Sequence, residues 1–79
     1  MLKNKVVLVT GAASGIGQAI AVVAAREGAY LVLSDINEHA GQAVLKRVRA
    51  LGAQALFAAS DVSKPQDAQA LVDQALAHH

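Results

Sequence analysis

Residues 6–17 of this 79-residue chain read VVLVTGAASGIG. The run Val6–Val9 is continuously apolar and rich in β-branched residues, which is typical of a strand buried on both faces of a parallel sheet. In the segment that follows, apolar residues fall at helical spacing: Ile16, Ile20, Val23 and Ala24. The stretch therefore predicts a strand, a tight turn and a helix, in that order.

Three glycines shape the predicted turn, in the spacing G-x-x-x-G-x-G. A turn of this kind presents backbone N–H groups and the positive end of a helix dipole at one point, which suits a phosphate group. We expect Gly11 to permit a sharp exit from the strand, Gly15 to let the backbone approach a pyrophosphate, and Gly17 to let the helix pack closely on the strand. Taken alone, a glycine-rich turn is also compatible with an ordinary strand-to-helix loop. Ser14 has no base near it in sequence, and we interpret it as a turn residue and not as a nucleophile.

An acidic residue follows the next predicted strand. Tyr30–Ser34 is the second strand, and Asp35 comes directly after it, eighteen positions beyond Gly17. In a βαβ unit that strand end lies beside the first turn, where a carboxylate can accept hydrogen bonds from the hydroxyls of an adenosine ribose. The alternative is that Asp35 merely opens the next turn, with Asn37 capping the following helix. Strand, glycines and acid together favour a dinucleotide site.

Length and composition limit the classes of function. Seventy-nine residues allow one small domain, and the sequence is 54% hydrophobic but only 3% aromatic. Without cysteine there is no disulfide framework, thiolate nucleophile or cysteine metal site, and we expect a cytoplasmic protein. The formal net charge of +1 gives no electrostatic reason to expect a nucleic-acid partner.

The uncharged segment from Val6 to Ala25, preceded by Lys3 and Lys5, superficially suggests a signal peptide or a membrane span. Its centre carries three glycines together with threonine, serine and glutamine, which would make a poor hydrophobic helix. A buried strand, turn and helix accounts for the same residues. We therefore predict no membrane association.

A second helix is predicted to begin near Asn37 and to end at Gly52. Its basic residues fall mostly on one side, which favours a solvated face over a binding patch. We expect the opposite side to face the core and to consist of Ala40, Val44, Val48 and Leu51.

The last part of the chain predicts one further strand and helix. Gln54–Ala59 is the strand, with Phe57 in the core. The sequence Ser63-Lys64-Pro65-Gln66 resembles a capping box, with proline tolerated in the first helical turn. The apolar face of the third helix is predicted to consist of Ala68, Leu71, Val72, Ala75 and Leu76.

The order of elements is βαβαβα, without a linker or repeat. Right-handed crossovers and short connections then give a three-stranded parallel sheet of order 3-2-1, which is half of a Rossmann doubly wound α/β fold. Residues 1–79 are thus predicted to form a partial dinucleotide-binding domain. His39 is expected to lie on the exposed start of the second helix, and His78 and His79 at a frayed terminus, so no metal site is predicted.

The octapeptide Thr10–Gly17, TGAASGIG, resembles the T-G-x-x-x-G-I-G cofactor motif of the short-chain dehydrogenase/reductase family. Asp61-Val62, after the third strand, is similar to the Asp-Val pair that contacts adenine in that family. The resemblance implies NAD as cofactor and a bracing role for Thr10 in the turn. It also implies the following contacts: Ser14 and Ile16 with the pyrophosphate, Asp35 with the ribose, and Asp61 and Val62 with the adenine.

The resemblance covers about the first third of a typical member of the family. It implies that a fourth strand, a catalytic serine and a Tyr-x-x-x-Lys motif would follow, whereas the single tyrosine here, Tyr30, has Ser34 four residues on. We therefore expect an NAD-binding segment, truncated before the fourth strand, without catalytic residues. The alternative is a non-catalytic nucleotide-binding or self-associating module, or the product of a decayed gene. Since the strand Val6–Thr10 would lie at a sheet edge, we expect self-association there.

Overall fold

The computed structural model describes residues 2–77. The predicted alternation of strands and helices is confirmed, and its elements are β1 (Val6–Thr10), α1 (Gly15–Arg26), β2 (Tyr30–Asp35), α2 (Glu38–Ala50), β3 (Ala55–Ala59) and α3 (Pro65–Ala77). The strand boundaries differ from the prediction by one residue, since β2 includes Asp35 and β3 begins after Gln54. The prediction for His78 and His79 concerns residues outside the described range.

All three strands are parallel, with β2 between β1 and β3. The predicted sheet order is therefore confirmed. In the register, Val6 lies beside Tyr30 and Leu31 beside Ala55, so the three strands end at one common edge. Because parallel strands place their carboxyl ends together, the segments that follow them also meet at that edge.

The core lies mainly between the sheet and the two helices α1 and α2. Leu31 and Leu33 of β2 are fully buried in it, and Val44 and Val48 of α2 pack against them. Val32 is equally buried but lies outside this cluster, because alternate residues of a strand point to opposite faces. Helix α3 contacts β2 and β1, and Leu71 is its buried residue.

Helix α1 buries a different face from the one that its large apolar residues suggest. Its buried residues are small or medium-sized: Gly17, Ala21, Val22, Ala24 and Ala25. Of the four residues singled out by helical spacing, only Ala24 is buried, whereas Ile16, Ile20 and Val23 are 79%, 50% and 59% exposed. Small side chains let α1 approach the sheet closely, so the larger ones remain outside.

Helices α2 and α3 require similar corrections. Leu51 was expected in the core, but it follows the last turn of α2 as its C-cap and is exposed. On α3, Val72 and Leu76 are exposed because the helix meets the sheet along a narrow line around Leu71. The inner face of α2 instead includes Gly41, which packs against the ring of Phe57. The placement of Phe57 against the core is confirmed.

The predicted capping box of α3 is wrong. The Ser63 hydroxyl donates to Asp61 Oδ1 at 2.6 Å and does not accept an N–H of the helix. Helix α3 begins at Pro65, two residues after Ser63, so the side chain is too far back along the chain to act as its N-cap. Asp67, in the first turn, reaches back and accepts the N–H of Asp61 at 3.0 Å.

None of the helices within residues 2–77 is both long and apolar enough to cross a bilayer.

Candidate functional site

The carboxyl edge of the sheet brings together residues that are far apart in the sequence. A small cleft of about 230 Å³ lies there, between the segments that follow β1, β2 and β3. Its lining includes four of the residues predicted from the sequence: Gly11, Asp35, Asp61 and Val62. The predicted convergence of glycine turn, ribose acid and Asp-Val pair is thus present in the fold.

A larger cleft, of about 650 Å³, lies at the opposite edge of the sheet. It is lined by Val6 and Tyr30, the first residues of β1 and β2, and by Gln54, which precedes β3. Ligands of open parallel sheets bind outside the carboxyl ends of the strands, where helix N-termini also point. We therefore take the smaller cleft, together with the glycine turn beside it, as the candidate site.

The glycine turn is held by its own serine. Ser14 is the N-cap of α1: its hydroxyl donates to Gly11 O at 2.7 Å and accepts the N–H of Gly17 at 3.1 Å. Gly11 has a φ of +64°, a conformation in which glycine carries no steric cost. The N–H groups of Gly15 and Ile16 have no acceptor among residues 2–77. This end of α1 can therefore donate to an anion.

The glycines at positions 15 and 17 serve different purposes. A Cβ at Gly17 would overlap the carbonyl group of Gly11, so the fold itself requires glycine there. A Cβ at Gly15 would meet no atom within 4 Å, and the backbone of Gly15 does not have a positive φ. Packing within the described residues thus gives no reason for glycine at position 15. The open space beside it fits the approach of a ligand.

The carboxylate of Asp35 is half-buried and joins two turns. Its Oδ2 accepts the N–H of Ala13 at 2.9 Å, and its Oδ1 accepts the N–H of Asn37 at 2.9 Å. Asn37 Oδ1 in turn caps α2 by accepting the N–H of Ala40 at 3.0 Å. The interpretation of Asp35 and Asn37 as turn and cap is therefore correct. It does not exclude a ribose contact, because a carboxylate offers about four lone-pair positions.

Asp61 lines the same cleft as Gly11, and its hydrogen bonds favour the charged form of its carboxyl. The Ser63 hydroxyl, followed by the Ser63 N–H at 3.0 Å, lowers the pKa of this carboxyl below its ordinary value, and the charge of Lys64 acts in the same direction. Partial desolvation opposes the shift. Asp61 is therefore available as an acceptor to a ligand that offers N–H or O–H groups.

Two serines that were not predicted from the sequence also line the cleft. Ser34, only 1% exposed, and Ser60 share a hydrogen bond of 2.6 Å between their hydroxyls. Ser34 lies near the carboxyl end of β2, directly before Asp35, and Ser60 follows β3, directly before Asp61. A small polar residue preceding an acid at two strand ends was the available signal. Ile36 also lines the cleft and is 73% exposed, and nothing in the sequence pattern indicated this position.

Some predicted site residues stand apart from the cleft. Ser14 is the N-cap of α1, and Gly15 and Gly17 lie in the first turn of that helix, where the side chain of Ile16 is exposed to solvent. Any contact of Ile16 with a ligand would use its backbone N–H. Within residues 2–77 no group of three His, Cys, Asp or Glu side chains is placed to hold a metal ion.

Comparison with known proteins identifies the family that the chain matches. The family model described as short chain dehydrogenase matches residues 5–79. An uncharacterized oxidoreductase of Listeria innocua is 40% identical over 75 residues, which is 95% of this chain and 30% of the relative. Cyclohexanol dehydrogenase of an Acinetobacter species is 43% identical over 70 residues, which is 89% of this chain and 28% of the relative.

A solved structure agrees closely with the fold. The short chain dehydrogenase/reductase of Burkholderia phymatum, crystallised in complex with NAD, matches with a TM-score of 0.93 and 40% identity. The match covers 98% of this chain and 27% of that one. The chain therefore spans less than a third of the length of these relatives.

Proposed function

The chain belongs to the short-chain dehydrogenase family, and on that premise we propose that its residues form the NAD-binding segment of an oxidoreductase. The observation that carries the proposal is the open glycine at position 15. It stands beside two N–H donors at the start of α1, on the same sheet edge as Asp35. A phosphate seated there would be bound by backbone groups without a side chain in its way. The NAD complex of the Burkholderia phymatum relative supports the same ligand.

Each predicted residue receives a role in this proposal. The N–H groups of Gly15 and Ile16 bind the pyrophosphate, while Ser14 holds the turn in shape through both of its hydrogen bonds. Asp35 accepts the ribose hydroxyls, and Asp61 with Val62 contacts the adenine. Two glycines provide the backbone shape that these contacts need, namely Gly11 and Gly17.

NAD, when bound, supplies the acceptor for a hydride from an alcohol, or in its reduced form the donor to a carbonyl group. The residues of this chain bind and orient the adenosine diphosphate part of that cofactor. They hold it by fixed backbone donors and two carboxylates, so little reorganisation is needed on binding.

We further propose that residues 1–79 by themselves do not complete a catalytic site. The resemblance assigns proton exchange to a tyrosine in a Tyr-x-x-x-Lys motif. The single tyrosine of the sequence, Tyr30, begins β2 at the sheet edge opposite the candidate site, and Ser34 stands where the motif has lysine. General acid catalysis requires the acid within hydrogen-bond reach of the reacting group.

The absence of cysteine is compatible with a reducing compartment, and we place the protein in the cytoplasm.

A second candidate function, self-association, rests on the exposed apolar surface around β1. Among the described residues β1 pairs with β2 alone, and Leu8 at its centre is 37% exposed. The flanking helices add further exposed apolar residues, Ile16, Ile20 and Val23 on α1 and Val72 and Leu76 on α3. An edge strand without proline or charge is a template for pairing with another chain on its free side. A second copy of the chain is the partner that we propose.

Nuclear magnetic resonance titration of the chain with NAD tests the main proposal. The amide signals of Gly15, Ile16 and Asp35 should shift with a common saturation curve. The amides around Gln54, at the opposite edge, serve as the internal reference and should stay in place. Shifts confined to the large cleft near Tyr30, or none at saturating NAD, would contradict the proposal.

A further inference from the structure

The residue expected to bind the ribose accepts two hydrogen bonds within the chain, and one of them comes from the glycine turn. Asp35 Oδ2 accepts the N–H of Ala13 across a sequence separation of 22 residues. Its other oxygen accepts the N–H of Asn37. One carboxylate therefore ties the turn after β1 to the turn after β2.

The other hydrogen bonds of the glycine turn do not perform this task. The hydroxyl of Ser14 bonds only to Gly11 and Gly17, and the Ser14 N–H also donates to Gly11 O. The N–H of Ala12 donates to Ser34 O at 2.9 Å and fixes the exit from β1. The middle of the turn, at Ala13, is thus held from outside by Asp35 alone among the described side chains. The N–H of the peptide between Ala12 and Ala13 is the donor of that bond.

We propose that Asp35 is a positioning residue for the phosphate site as well as a contact for the ribose, an inference that rests on the proposed function. Holding the turn in its ligand-accepting shape before binding lowers the ordering cost of binding. Removal of the carboxylate would leave the half-buried N–H of Ala13 without its partner and allow the peptide to turn. The donors of Gly15 and Ile16, directly after this peptide, would then be aimed less well.

Charge repulsion and turn positioning predict opposite effects of removing Asp35 on the binding of a phosphate ligand. A carboxylate near a bound pyrophosphate repels it, so removal of Asp35 would by charge alone strengthen the binding of any phosphate ligand. If Asp35 positions the turn, removal weakens that binding instead. The sign of the change separates the two.

The probe is 2′,3′-dideoxyadenosine 5′-diphosphate, which has no ribose hydroxyl for Asp35 to contact. Isothermal titration would compare the full-length chain with Asp35→Ala, Asp35→Asn and, as a matched control, Asp73→Ala. Asp73 is a carboxylate on α3 that bonds to Gln69. We expect Asp35→Ala to weaken binding of the probe about threefold to tenfold, the effect of one hydrogen bond. Asp35→Asn, whose amide oxygen can accept the N–H of Ala13, should restore most of the affinity, and Asp73→Ala should behave as the wild type.

Amide hydrogen exchange without ligand gives a second readout. Exchange at Ala13 should accelerate in Asp35→Ala, whereas exchange in the centre of β2, at Val32, should not. Equal or tighter probe binding by Asp35→Ala, or unchanged exchange at Ala13, would overturn the positioning role while leaving the proposed function intact. Failure of the wild type to bind either ADP or the probe would overturn the proposed function and the phosphate role together.

Discussion

The α-carbon of Gly17 faces the carbonyl oxygen of Gly11 so closely that a methyl group at position 17 would overlap it. This contact packs the first turn of α1 directly against the end of β1. Two residues earlier, at Gly15, the same methyl group would meet nothing. The two glycines of one motif thus serve packing and access separately.

Substitution of these glycines should separate stability from binding. Gly17→Ala should lower the free energy of unfolding by about 1–3 kcal/mol, because the backbone must move to relieve the overlap. Gly15→Leu should leave unfolding nearly unchanged and abolish measurable NAD binding, because its side chain enters the open space. Thermal unfolding and isothermal titration measure the two effects. A Gly15→Leu variant that binds NAD like the wild type would contradict the assigned site.

The chain should prefer NAD to NADP by more than about tenfold. Asp35 would lie at the ribose 2′-position, where a phosphate meets its negative charge, and the turn residues Ala12–Ser14 offer no basic group in compensation. Titration of both cofactors measures the ratio. Asp35→Ala should reduce it, with Asp73→Ala as the control. Equal affinity for the two cofactors in the wild type would show that Asp35 does not face the 2′-position.

The acid titration of Asp61 should respond to Ser63. The hydrogen bonds from Ser63 lower the pKa of Asp61 in the folded chain, so this carboxylate contributes stability above its unfolded pKa. The contribution is lost as the pH falls through the lower, folded pKa. Ser63→Ala should move that pKa upward, toward the ordinary value, and so reduce the stability that Asp61 contributes at neutral pH and loses on acidification. Nuclear magnetic resonance of the Asp61 carboxyl carbon follows the titration, and no change in Ser63→Ala would refute the assigned cause.

Self-association should depend on the exposed face of β1. Leu8→Lys places a charge at the centre of the edge and should shift the chain toward monomer, because charged side chains discourage strand pairing. Leu51→Lys, which alters an exposed leucine at the end of α2, is the matched control. Size-exclusion chromatography with light scattering at several concentrations measures the change. A wild-type chain that is monomeric throughout would remove the proposal.

The purified chain should not reduce NAD in the presence of alcohols. It binds one half of the cofactor in our proposal and offers no positioned acid or base to the oxygen of the reacting group. A spectrophotometric screen over primary, secondary and cyclic alcohols should stay at background. Turnover that persists after removal of host enzymes and disappears in Gly15→Leu would contradict this expectation.

Sequence alone determined the order of the elements, the parallel sheet and the edge at which we place the candidate site. Those features depend on local signals: the apolar run Val6–Val9, the glycine spacing, and the helix stop at Gly52, which has a positive φ in the structure. Because connections are short and right-handed, few arrangements were open to these elements. Asp35 could be placed near the turn for the same reason.

Only the tertiary structure decided which helix faces are buried and what the polar side chains bond to. Ile16, Ile20 and Val23 have the spacing of a core face, yet the sheet accepts the alanine side of α1 because it allows closer approach. Ser63 fits a capping pattern, yet it bonds to Asp61. Helical spacing records which residues share a face and not which neighbour that face will meet. The bond from Ala13 to Asp35 joins positions 22 residues apart, and a contact of that range exists only once β1 and β2 are paired.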